Sequence, residues 1–322
     1  MKVGIIGAGG IAVTMARTLN QMEDATAYAV ASRSLEKAET FAKEHQVEKA
    51  YGSYEEMLQD PEVELVYVAT PHSHHYECMK LALCYGKPVL CEKAFTANAE
   101  QAEEILSISE EKKLFVGEAM WTRFLPSRKM IDEVVSSGEI GQVHMITANL
   151  GYDIRMVERL RNPALAGGAL LDVGIYPLTF IRMITSSKIT SIDTSCVKLE
   201  TGVDAQNTVT FVFEDGCMAT MHSSMLGGTE QAGIVYGDKG YFIAWNINNV
   251  SHIQIFDNDR KLLREEKVPA QITGFEYEVR AAMEAIRDGK MESPQMPHSE
   301  TLYMMRLMDG LRKRWGVRYP FE

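Results

Sequence analysis

The sequence predicts an α/β protein, with an N-terminal doubly wound parallel sheet followed by an α+β domain that has a large, mostly antiparallel sheet. In the first 120 residues, short apolar runs alternate with amphipathic helical patterns, which is typical of parallel strands joined by crossover helices. Further along, turn signals such as Glu214-Asp215-Gly216 and Asp257-Asn258-Asp259 separate strand-like runs, as in antiparallel hairpins. We therefore place the domain boundary near residue 120, which gives domains 1–120 and 121–322.

The two periodicities of apolar residues define the expected elements in order. Strands are predicted at residues 3–6, 27–31, 65–69, 88–91 and 114–117. Helices are predicted at 12–20, 35–44, 73–84, 97–111 and 126–136. In the second half, we expect strands at 208–213, 241–245 and 252–256, and helices at 275–287 and 300–314.

The first strand runs directly into a glycine-rich turn, Gly7-Ala8-Gly9-Gly10-Ile11-Ala12, which opens the first helical pattern. Gly7 permits the tight turn, Gly9 lets backbone amides approach a pyrophosphate, and Ala12 keeps the helix close to the sheet. The pyrophosphate then lies at the positive end of that helix. The sequence therefore predicts a Rossmann-type dinucleotide site that includes Gly7, Gly9, Gly10, Ile11 and Ala12.

The residues after the second strand indicate which dinucleotide is bound. An NAD site usually places a carboxylate there to hold the ribose 2′-hydroxyl, whereas this chain has Ser32-Arg33-Ser34. Arg33 can form a bidentate contact with a 2′-phosphate, and Lys37 lies one helical turn further on. We therefore expect NADP(H), with NAD(H) as the alternative.

Composition and charge limit the domain count, the partners and the compartment that the protein can have. A chain of 322 residues with 46% hydrophobic and 24% charged content is long enough for two domains, and a net charge of −11 argues against nucleic-acid and anionic-membrane partners. We expect no uninterrupted apolar run near the roughly 20 residues of a membrane span. The predicted first strand begins at residue 3, which leaves no room for a signal peptide, and the five cysteines are dispersed without the spacing of a disulfide framework. We therefore expect the protein in the cytoplasm.

Four motifs bring polar groups to positions where a ligand of such a sheet binds, beyond the carboxyl ends of the strands or in the second domain. They are Thr70-Pro71-His72-Ser73-His74-His75, Cys91-Glu92-Lys93-Ala94, residues 117–124 with Trp121 and Arg123, and Gly167-Gly168-Ala169-Leu170-Leu171-Asp172-Val173-Gly174-Ile175-Tyr176. We expect Thr70, His72, His75, Glu92 and Lys93 to bind the cofactor. No metal is expected.

These motifs resemble the family named for glucose-fructose oxidoreductase, inositol dehydrogenase and MocA, which has Glu-Lys-Pro after the fifth strand and a Gly-Gly-x-Leu-x-Asp-x-Gly block before a His or Tyr. The Trp-x-Arg-Phe string and the final Tyr resemble its dihydrodiol and sugar dehydrogenase branch. The resemblance implies that Lys93 is the catalytic lysine, Tyr176 the acid/base and Asp172 the supporting carboxylate, with Phe275 matching a pocket aromatic. One departure is Ala94, where most relatives have proline.

The chemistry of these residue types supports the same roles. Hydride transfer to or from a carbinol carbon needs a group that moves the hydroxyl proton and a positive charge near the developing alkoxide. Lys93 supplies the charge, and a neighbouring ammonium lowers the pKa of a tyrosine such as Tyr176. Asp172 and Tyr176 share a helix face, and Pro177 places the helix start near residues 172–174, with Tyr176 at its positive end.

Other patterns admit more than one interpretation. His72, His74 and His75 resemble a metal site, but no carboxylate or cysteine joins them. Tyr76 and Lys80 have the Tyr-x-x-x-Lys spacing of short-chain dehydrogenases without that family's glycine pattern, so the spacing is a coincidence.

Three candidate substrate residues also have structural alternatives: Trp121 and Phe275 can be pocket walls or plain core, and Arg123 can anchor a substrate or bridge domains.

Together these observations predict a hydride transfer between a nicotinamide and a secondary alcohol or ketone of a sugar, polyol or trans-dihydrodiol. Two alternatives stay open: a catalytically silent dinucleotide-binding regulator, and an imine or enoyl reductase on the same scaffold. The antiparallel sheet has too few helices to cover both faces, so we expect a homodimer or a dimer of dimers.

Overall fold

A six-stranded parallel sheet with the strand order β3-β2-β1-β4-β5-β6 forms the centre of the first part of the chain, in a computed structural model that describes residues 1–322. Its strands are β1 (Lys2–Ile6), β2 (Thr26–Ala31), β3 (Lys49–Tyr51), β4 (Leu65–Val68), β5 (Val89–Glu92) and β6 (Val116–Ala119). The helices are α1 (Gly10–Leu19), α2 (Leu35–His45), α3 (Tyr54–Gln59), α4 (His72–Cys84) and α5 (Ala99–Lys112). This is the doubly wound order, and it confirms the predicted fold class.

Two short elements of this sheet layer escaped the sequence patterns. The strand β3 has three residues and the helix α3 has six, which is too short for either periodicity to be recognised. The strand β6 also begins two residues later than the predicted run at residue 114. These three differences concern the lengths and boundaries of elements and leave the predicted class of fold unchanged.

The second part of the chain contains an eight-stranded sheet with the order β14-β13-β12-β11-β7-β10-β9-β8. Its strands are β7 (Val143–Gly151), β8 (Ile189–Lys198), β9 (Asp204–Phe213), β10 (Met218–Ser224), β11 (Ala232–Gly237), β12 (Gly240–Trp245), β13 (His252–Asp257) and β14 (Leu262–Lys267). Only β7 and β10 pair in parallel, so the sheet is mostly antiparallel, as predicted.

The remaining helices are α6 (Pro126–Ser137), α7 (Glu158–Arg161), α8 (Ile175–Ile184), α9 (Glu276–Arg287) and α10 (His298–Trp315). A short π-helical turn, Leu170–Gly174, leads directly into α8. The helix α8 packs on one face of the sheet, because a side chain at Gly233 in β11 would meet the ring of Phe180 at 2.4 Å.

The chain forms two compact units that differ from the predicted contiguous domains in one respect. One unit comprises Met1–Phe124 and Gln271–Arg306, and the other comprises Leu125–Ala270 and Leu307–Glu322. The segment after residue 270 returns to the first unit because it completes the open edge of β6. The backbone N–H of Val116 donates to Met291 O at 3.0 Å, and His298 Nε2 lies 2.8 Å from Val116 O.

One long helical segment is apolar, although Asp172 and Arg182 interrupt its run of apolar residues. The stretch Pro163–Ile184 has 22 residues with a mean hydropathy of 1.6, so by length and composition alone it could cross a membrane. However, 89% of its most apolar window is buried inside the protein, which is the property of a core helix.

Candidate active site

The glycine turn after β1 has the geometry that a dinucleotide site requires. Gly7 has φ +108°, and a Cβ on it would lie 2.8 Å from the carbonyl oxygen of Ala69, so only glycine fits there. Added Cβ atoms on Gly9 and Gly10 would meet nothing within 4 Å, which leaves open space in front of the start of α1. Ala12 is fully buried against the sheet. The turn therefore fits a pyrophosphate at a helix N-terminus.

The end of β2 presents exposed positive charge. Arg33 and Lys37 are exposed, Ser32 is buried, and Ser34 caps α2 by accepting a hydrogen bond from the backbone N–H of Lys37 at 3.3 Å. The pKa of His74 in α4 is lowered by burial and, to a smaller extent, by the charge of Arg33. The available cation and hydroxyl groups suit a 2′-phosphate.

His75 ties two strand-end loops together. It is fully buried, its Nδ1 lies 2.9 Å from Ala94 O, and its Nε2 lies 2.8 Å from Thr70 O. Burial lowers the pKa of His75 to about 4, so the neutral ring donates to only one of these carbonyls. His72 is also buried, with its ring edge-on to His75 at 5.7 Å. His75 thus supports the loops after β4 and β5.

The end of β5 carries the predicted catalytic lysine. The buried Glu92 accepts hydrogen bonds from the hydroxyl of Tyr67 at Oε1 and from the backbone N–H of Lys93 at Oε2, the latter at 3.2 Å. After burial, the charge of Lys93 makes a smaller contribution to the lowered pKa of His75. The peptide bond between Lys93 and Ala94 is cis. The sheet therefore brings together the predicted residues at the ends of β4 and β5: Thr70, His72, His75, Glu92 and Lys93.

The candidate substrate residues of the first unit differ in the contacts that they make. The rings of Trp121 and Phe275 are stacked, with centroids 4.4 Å apart and an interplanar angle of 21°. Arg123 donates from Nε to Gln295 O at 2.8 Å and from Nη1 to Glu300 Oε1 at 3.3 Å. These contacts favour a structural role for Arg123, linking the residues after β6 to the returning segment within the same unit.

In the second unit, Asp172 and Tyr176 lie on one continuous helical segment, and both are largely buried. Arg159 donates a hydrogen bond from Nη1 to Asp172 Oδ1 at 3.0 Å. No sequence pattern indicated this partner, because Arg159 lies 13 residues before Asp172 in α7, a helix of only four residues. The pair is an ion pair whose acidic side chain is only 10% exposed.

The predicted start of this helix at residues 172–174 is wrong. The helical segment begins at Leu170 with a π turn in which the backbone N–H of Ile175 bonds to Leu170 O. Pro177 therefore lies inside the segment, where the wider turn before it accommodates the missing N–H. Tyr176 is more than one turn from the N-terminus, so the helix dipole gives no reason for a lowered pKa there.

The start of this segment is fixed by Asp204, which sequence reasoning missed. Asp204 Oδ2 accepts hydrogen bonds from the backbone N–H of Leu170 at 2.6 Å and from Nδ2 of Asn207 at 3.0 Å, and Ser223 donates to Asn207 Oδ1 at 3.0 Å. Burial raises the pKa of Asp204 to about 6. A Cβ on Gly168, which has φ +119°, would lie 2.2 Å from Asp204 Oδ1, so the close approach requires glycine.

The doubly wound sheet and its glycine turn, with polar groups at the ends of β4 and β5, define an oxidoreductase of the NAD(P)-binding class. Residues 1–119 match the model described as "Oxidoreductase family, NAD-binding Rossmann fold", and residues 129–243 match the "GFO/IDH/MocA C-terminal domain". The chain belongs to the Gfo/Idh/MocA family, which confirms the resemblance seen in the sequence motifs.

Similar proteins include the trans-1,2-dihydrobenzene-1,2-diol dehydrogenases of Bos taurus and Homo sapiens. Each is 33% identical to this chain and covers 99% of it, with 98% of the bovine and 97% of the human protein matched. Among solved structures, a 3-ketoreductase from Actinomadura kijaniata in complex with NADP and TDP-benzene has a TM-score of 0.89 at 22% identity, covering 97% of each chain. An aldose-aldose oxidoreductase from Caulobacter crescentus with glycerol has a TM-score of 0.88 at 20% identity, covering 98% of this chain and 97% of the other.

Proposed function

We propose that the protein is an NADP(H)-dependent dehydrogenase that interconverts a secondary alcohol with the corresponding ketone, with a trans-dihydrodiol as the first substrate to test and sugars or polyols next. The observation that carries this proposal is the similarity to trans-dihydrodiol dehydrogenases along 99% of the chain, with Lys93, Asp172 and Tyr176 all present. A regulator that only senses a dinucleotide would need the glycine turn and Arg33 but no proton-transfer residues.

The roles of the chain's own residues follow from their chemistry. The nicotinamide, when bound, accepts or donates the hydride. Tyr176 takes the hydroxyl proton during oxidation and returns it during reduction. Lys93 stabilises the developing alkoxide with its positive charge. Asp172, held by Arg159, is the supporting carboxylate on the helical segment that carries Tyr176.

The preference for NADP(H) over NAD(H) is supported by the charges around β2. Arg33 is exposed at the end of this strand, Lys37 is exposed on the first turn of α2, and neither Ser32 nor Ser34 brings a negative charge. A 2′-phosphate would gain a charge-assisted contact with Arg33, whereas residues 32–34 lack the carboxylate that usually holds a ribose 2′-hydroxyl. The structural neighbour from Actinomadura kijaniata contains NADP.

The stacked rings of Trp121 and Phe275 support a substrate with a flat, apolar ring. Both rings are slightly exposed, at 8% and 9%, so their remaining surface faces outward from the core of the first unit. An aromatic surface of this kind binds an unsaturated ring by stacking and a pyranose by contact with its C–H groups.

The proposed homodimer uses the face of the eight-stranded sheet opposite α8. On this face, neighbouring strands align apolar side chains in one row: Phe256, Tyr241, Tyr236, Met145 and Met218. Met145 and Met218 are 47% and 45% exposed. A second copy of the chain would remove this row from water.

The function is tested by following NADPH formation with a panel of trans-dihydrodiols, sugars and inositols, each supplied with NADP⁺ or NAD⁺. We expect turnover with a trans-dihydrodiol or a cyclic sugar, and a higher kcat/KM with NADP⁺. Tight NADPH binding without turnover of any alcohol or ketone would favour the regulator. Reduction of imines or enones alone would favour the reductase alternative.

A further inference from the structure

Tyr319 is a buried tyrosine that joins the segment after α10 to the loop before the helical segment of Asp172 and Tyr176. It is 2% exposed, and its hydroxyl donates a hydrogen bond to Gly167 O at 2.9 Å. Burial raises the pKa of Tyr319, so the hydroxyl keeps its proton and remains a donor. The bond connects residues that lie 152 positions apart in the chain and belong to the same unit.

Arg312, in the last turn of α10, holds the ring of Tyr319 in place. The guanidinium carbon lies 4.4 Å from the centroid of that ring, and the arginine is 3% exposed. Its Nη1 and Nη2 donate to the two carboxylate oxygens of Glu322 at 3.0 and 2.7 Å, and the backbone N–H of Tyr319 donates to Glu322 Oε2 at 3.0 Å. Because a bidentate pair of this kind has one preferred geometry, the position of the tyrosine hydroxyl is well defined.

The loop that Tyr319 holds packs directly on the backbone of α7. A Cβ on Gly167 would lie 2.5 Å from Leu160 O and 2.8 Å from Arg159 O. The backbone N–H of Gly168 donates to Leu160 O at 2.9 Å. The side chain of Arg159 in turn holds the carboxylate of Asp172. The arginine that orients Asp172 therefore lies on a helix whose backbone rests against this loop.

The same loop leads into the helical segment itself. The backbone N–H of Leu170 donates to Asp204 Oδ2 at 2.6 Å, and a Cβ on Gly168 would lie 2.2 Å from Asp204 Oδ1. The π-helical turn that starts at Leu170 runs directly into α8, which carries Tyr176. A shift of Gly167 thus reaches the candidate site from two sides, through α7 and through the start of the helical segment.

We propose that Tyr319 is a positioning residue that fixes the Gly167–Gly168 turn and, through it, the orientation of Asp172 and Tyr176 for proton transfer. The role rests on the proposed function, in which Tyr176 moves the hydroxyl proton. Tyr319 acts through Gly167 and touches no reacting atom. Loss of its hydroxyl removes a donor from a buried carbonyl and lets the turn shift, and a shift of about 1 Å at a reacting group lowers the rate of the chemical step.

The anchoring is tested by hydrogen–deuterium exchange with mass spectrometry in wild type, Tyr319→Phe and Tyr28→Phe. The first substitution keeps the ring beside Arg312 and removes only the hydroxyl. Peptides that cover residues 166–176 should exchange about tenfold faster in Tyr319→Phe, whereas peptides of α9 should keep the wild-type rate. Tyr28→Phe is the matched control, since Tyr28 is also 2% exposed and donates to Asp60 Oδ2 at 3.1 Å in the other unit.

Two outcomes of the exchange experiment would overturn the proposal. One is an unchanged rate for residues 166–176 in Tyr319→Phe. The other is an equal acceleration of all peptides, or of residues 166–176 in the Tyr28→Phe control as well, because a general loss of stability acts on the whole chain.

The effect on proton transfer is tested by steady-state kinetics with the best alcohol substrate, at a temperature well below the Tm of every variant. Tyr319→Phe should lower kcat by about tenfold and leave KM and the affinity for NADPH nearly unchanged, whereas Tyr28→Phe should keep wild-type kcat. In the Tyr176→Phe background, the Tyr319 substitution should change kcat by less than about twofold, because the group that it positions is absent. Equal losses in the two backgrounds would overturn the positioning role.

The two experiments separate this proposal from the proposed function. Hydrogen exchange needs neither substrate nor cofactor. A protein that shows the selective acceleration in Tyr319→Phe but oxidises no alcohol would refute the proposed function and support the anchoring. A protein that oxidises an alcohol, with the exchange and kcat of Tyr319→Phe equal to wild type, would refute the positioning role alone.

Discussion

Arg159 and Asp172 form an ion pair at 3.0 Å. Asp172 lies four residues before Tyr176 on the same helical segment. The arginine side chain is 45% exposed and the aspartate side chain 10%, so one end of the pair remains in contact with solvent. The guanidinium stabilises the ionised form of Asp172 and fixes the direction of its carboxylate. A supporting role for Asp172 in proton transfer therefore depends on a residue that the sequence motif does not include.

The first prediction concerns this ion pair. Arg159→Gln should lower kcat by about tenfold, because loss of a charge-assisted hydrogen bond of about 1.5–3 kcal/mol lets the Asp172 carboxylate turn away or take up a proton. Steady-state kinetics would measure this loss. The control is Arg161→Gln, which breaks an exposed ion pair with Glu200. Equal activity of both variants would show that Asp172 does not need Arg159.

The second prediction concerns cofactor choice. NADPH should bind more tightly than NADH, and Arg33→Ala should remove most of that difference, since the contact between Arg and phosphate contributes about 1.5–3 kcal/mol. Fluorescence titrations of both cofactors would measure the two affinities. Lys43→Ala, in the last turn of α2, removes an equally exposed positive charge and should leave the preference in place. Equal affinities of the wild type for both cofactors would contradict the prediction.

The third prediction separates the two proposed catalytic residues. Tyr176→Phe should lower kcat by about 10²–10⁴-fold, as expected for loss of a positioned acid/base, and NADPH binding should remain nearly unchanged. Lys93→Met should abolish turnover and also weaken NADPH binding. Tyr76→Phe is the matched control, because Tyr76 accepts a hydrogen bond from Lys80 at 2.9 Å within α4. If Tyr176→Phe kept a third of wild-type activity, the acid/base role would have to be assigned to another residue.

The fourth prediction concerns the packing of α8. Gly233→Ala should destabilise the protein by about 1–3 kcal/mol, because an added methyl group in a filled core forces neighbours out of their positions. Its nearest neighbour would be the ring of Phe180 at 2.4 Å, on the helix that carries Tyr176, so kcat should fall as well. Gly228→Ala should have little effect, since an added Cβ there meets nothing within 4 Å. Chemical denaturation of the two variants would reveal the contrast, and equal midpoints would refute it.

The fifth prediction concerns the open face of the eight-stranded sheet. Wild type should have the mass of a dimer or larger in light scattering at micromolar concentration, and Met145→Glu should shift it to the monomer. The charge would lie between Tyr236 and Met218 in the apolar row, where burial against a second copy is costly. Thr201→Glu, in an exposed turn of the same unit, should leave the mass unchanged. A monomeric wild type would exclude the proposed interface.

The local patterns of the sequence were sufficient for the first unit's main elements. The glycine turn, its helix and the position of Lys93 after a strand depend on residues close together in the chain, because hydrophobic periodicity and glycine conformation act over one or two turns. The same holds for the spacing of Asp172 and Tyr176. Short elements such as β3 and the polar edge strands β8 and β14 carried too weak a pattern to be seen.

Only the tertiary structure decided the contacts between distant parts of the chain. The stacking of Trp121 on Phe275, the return of residues 271–306 to the first unit, and the support of Leu170 by Asp204 join segments that no local pattern connects. The sequence determined the class of fold and the chemical groups for hydride transfer. Packing determined which charges those groups meet, because burial and neighbouring charges are properties of the folded chain alone.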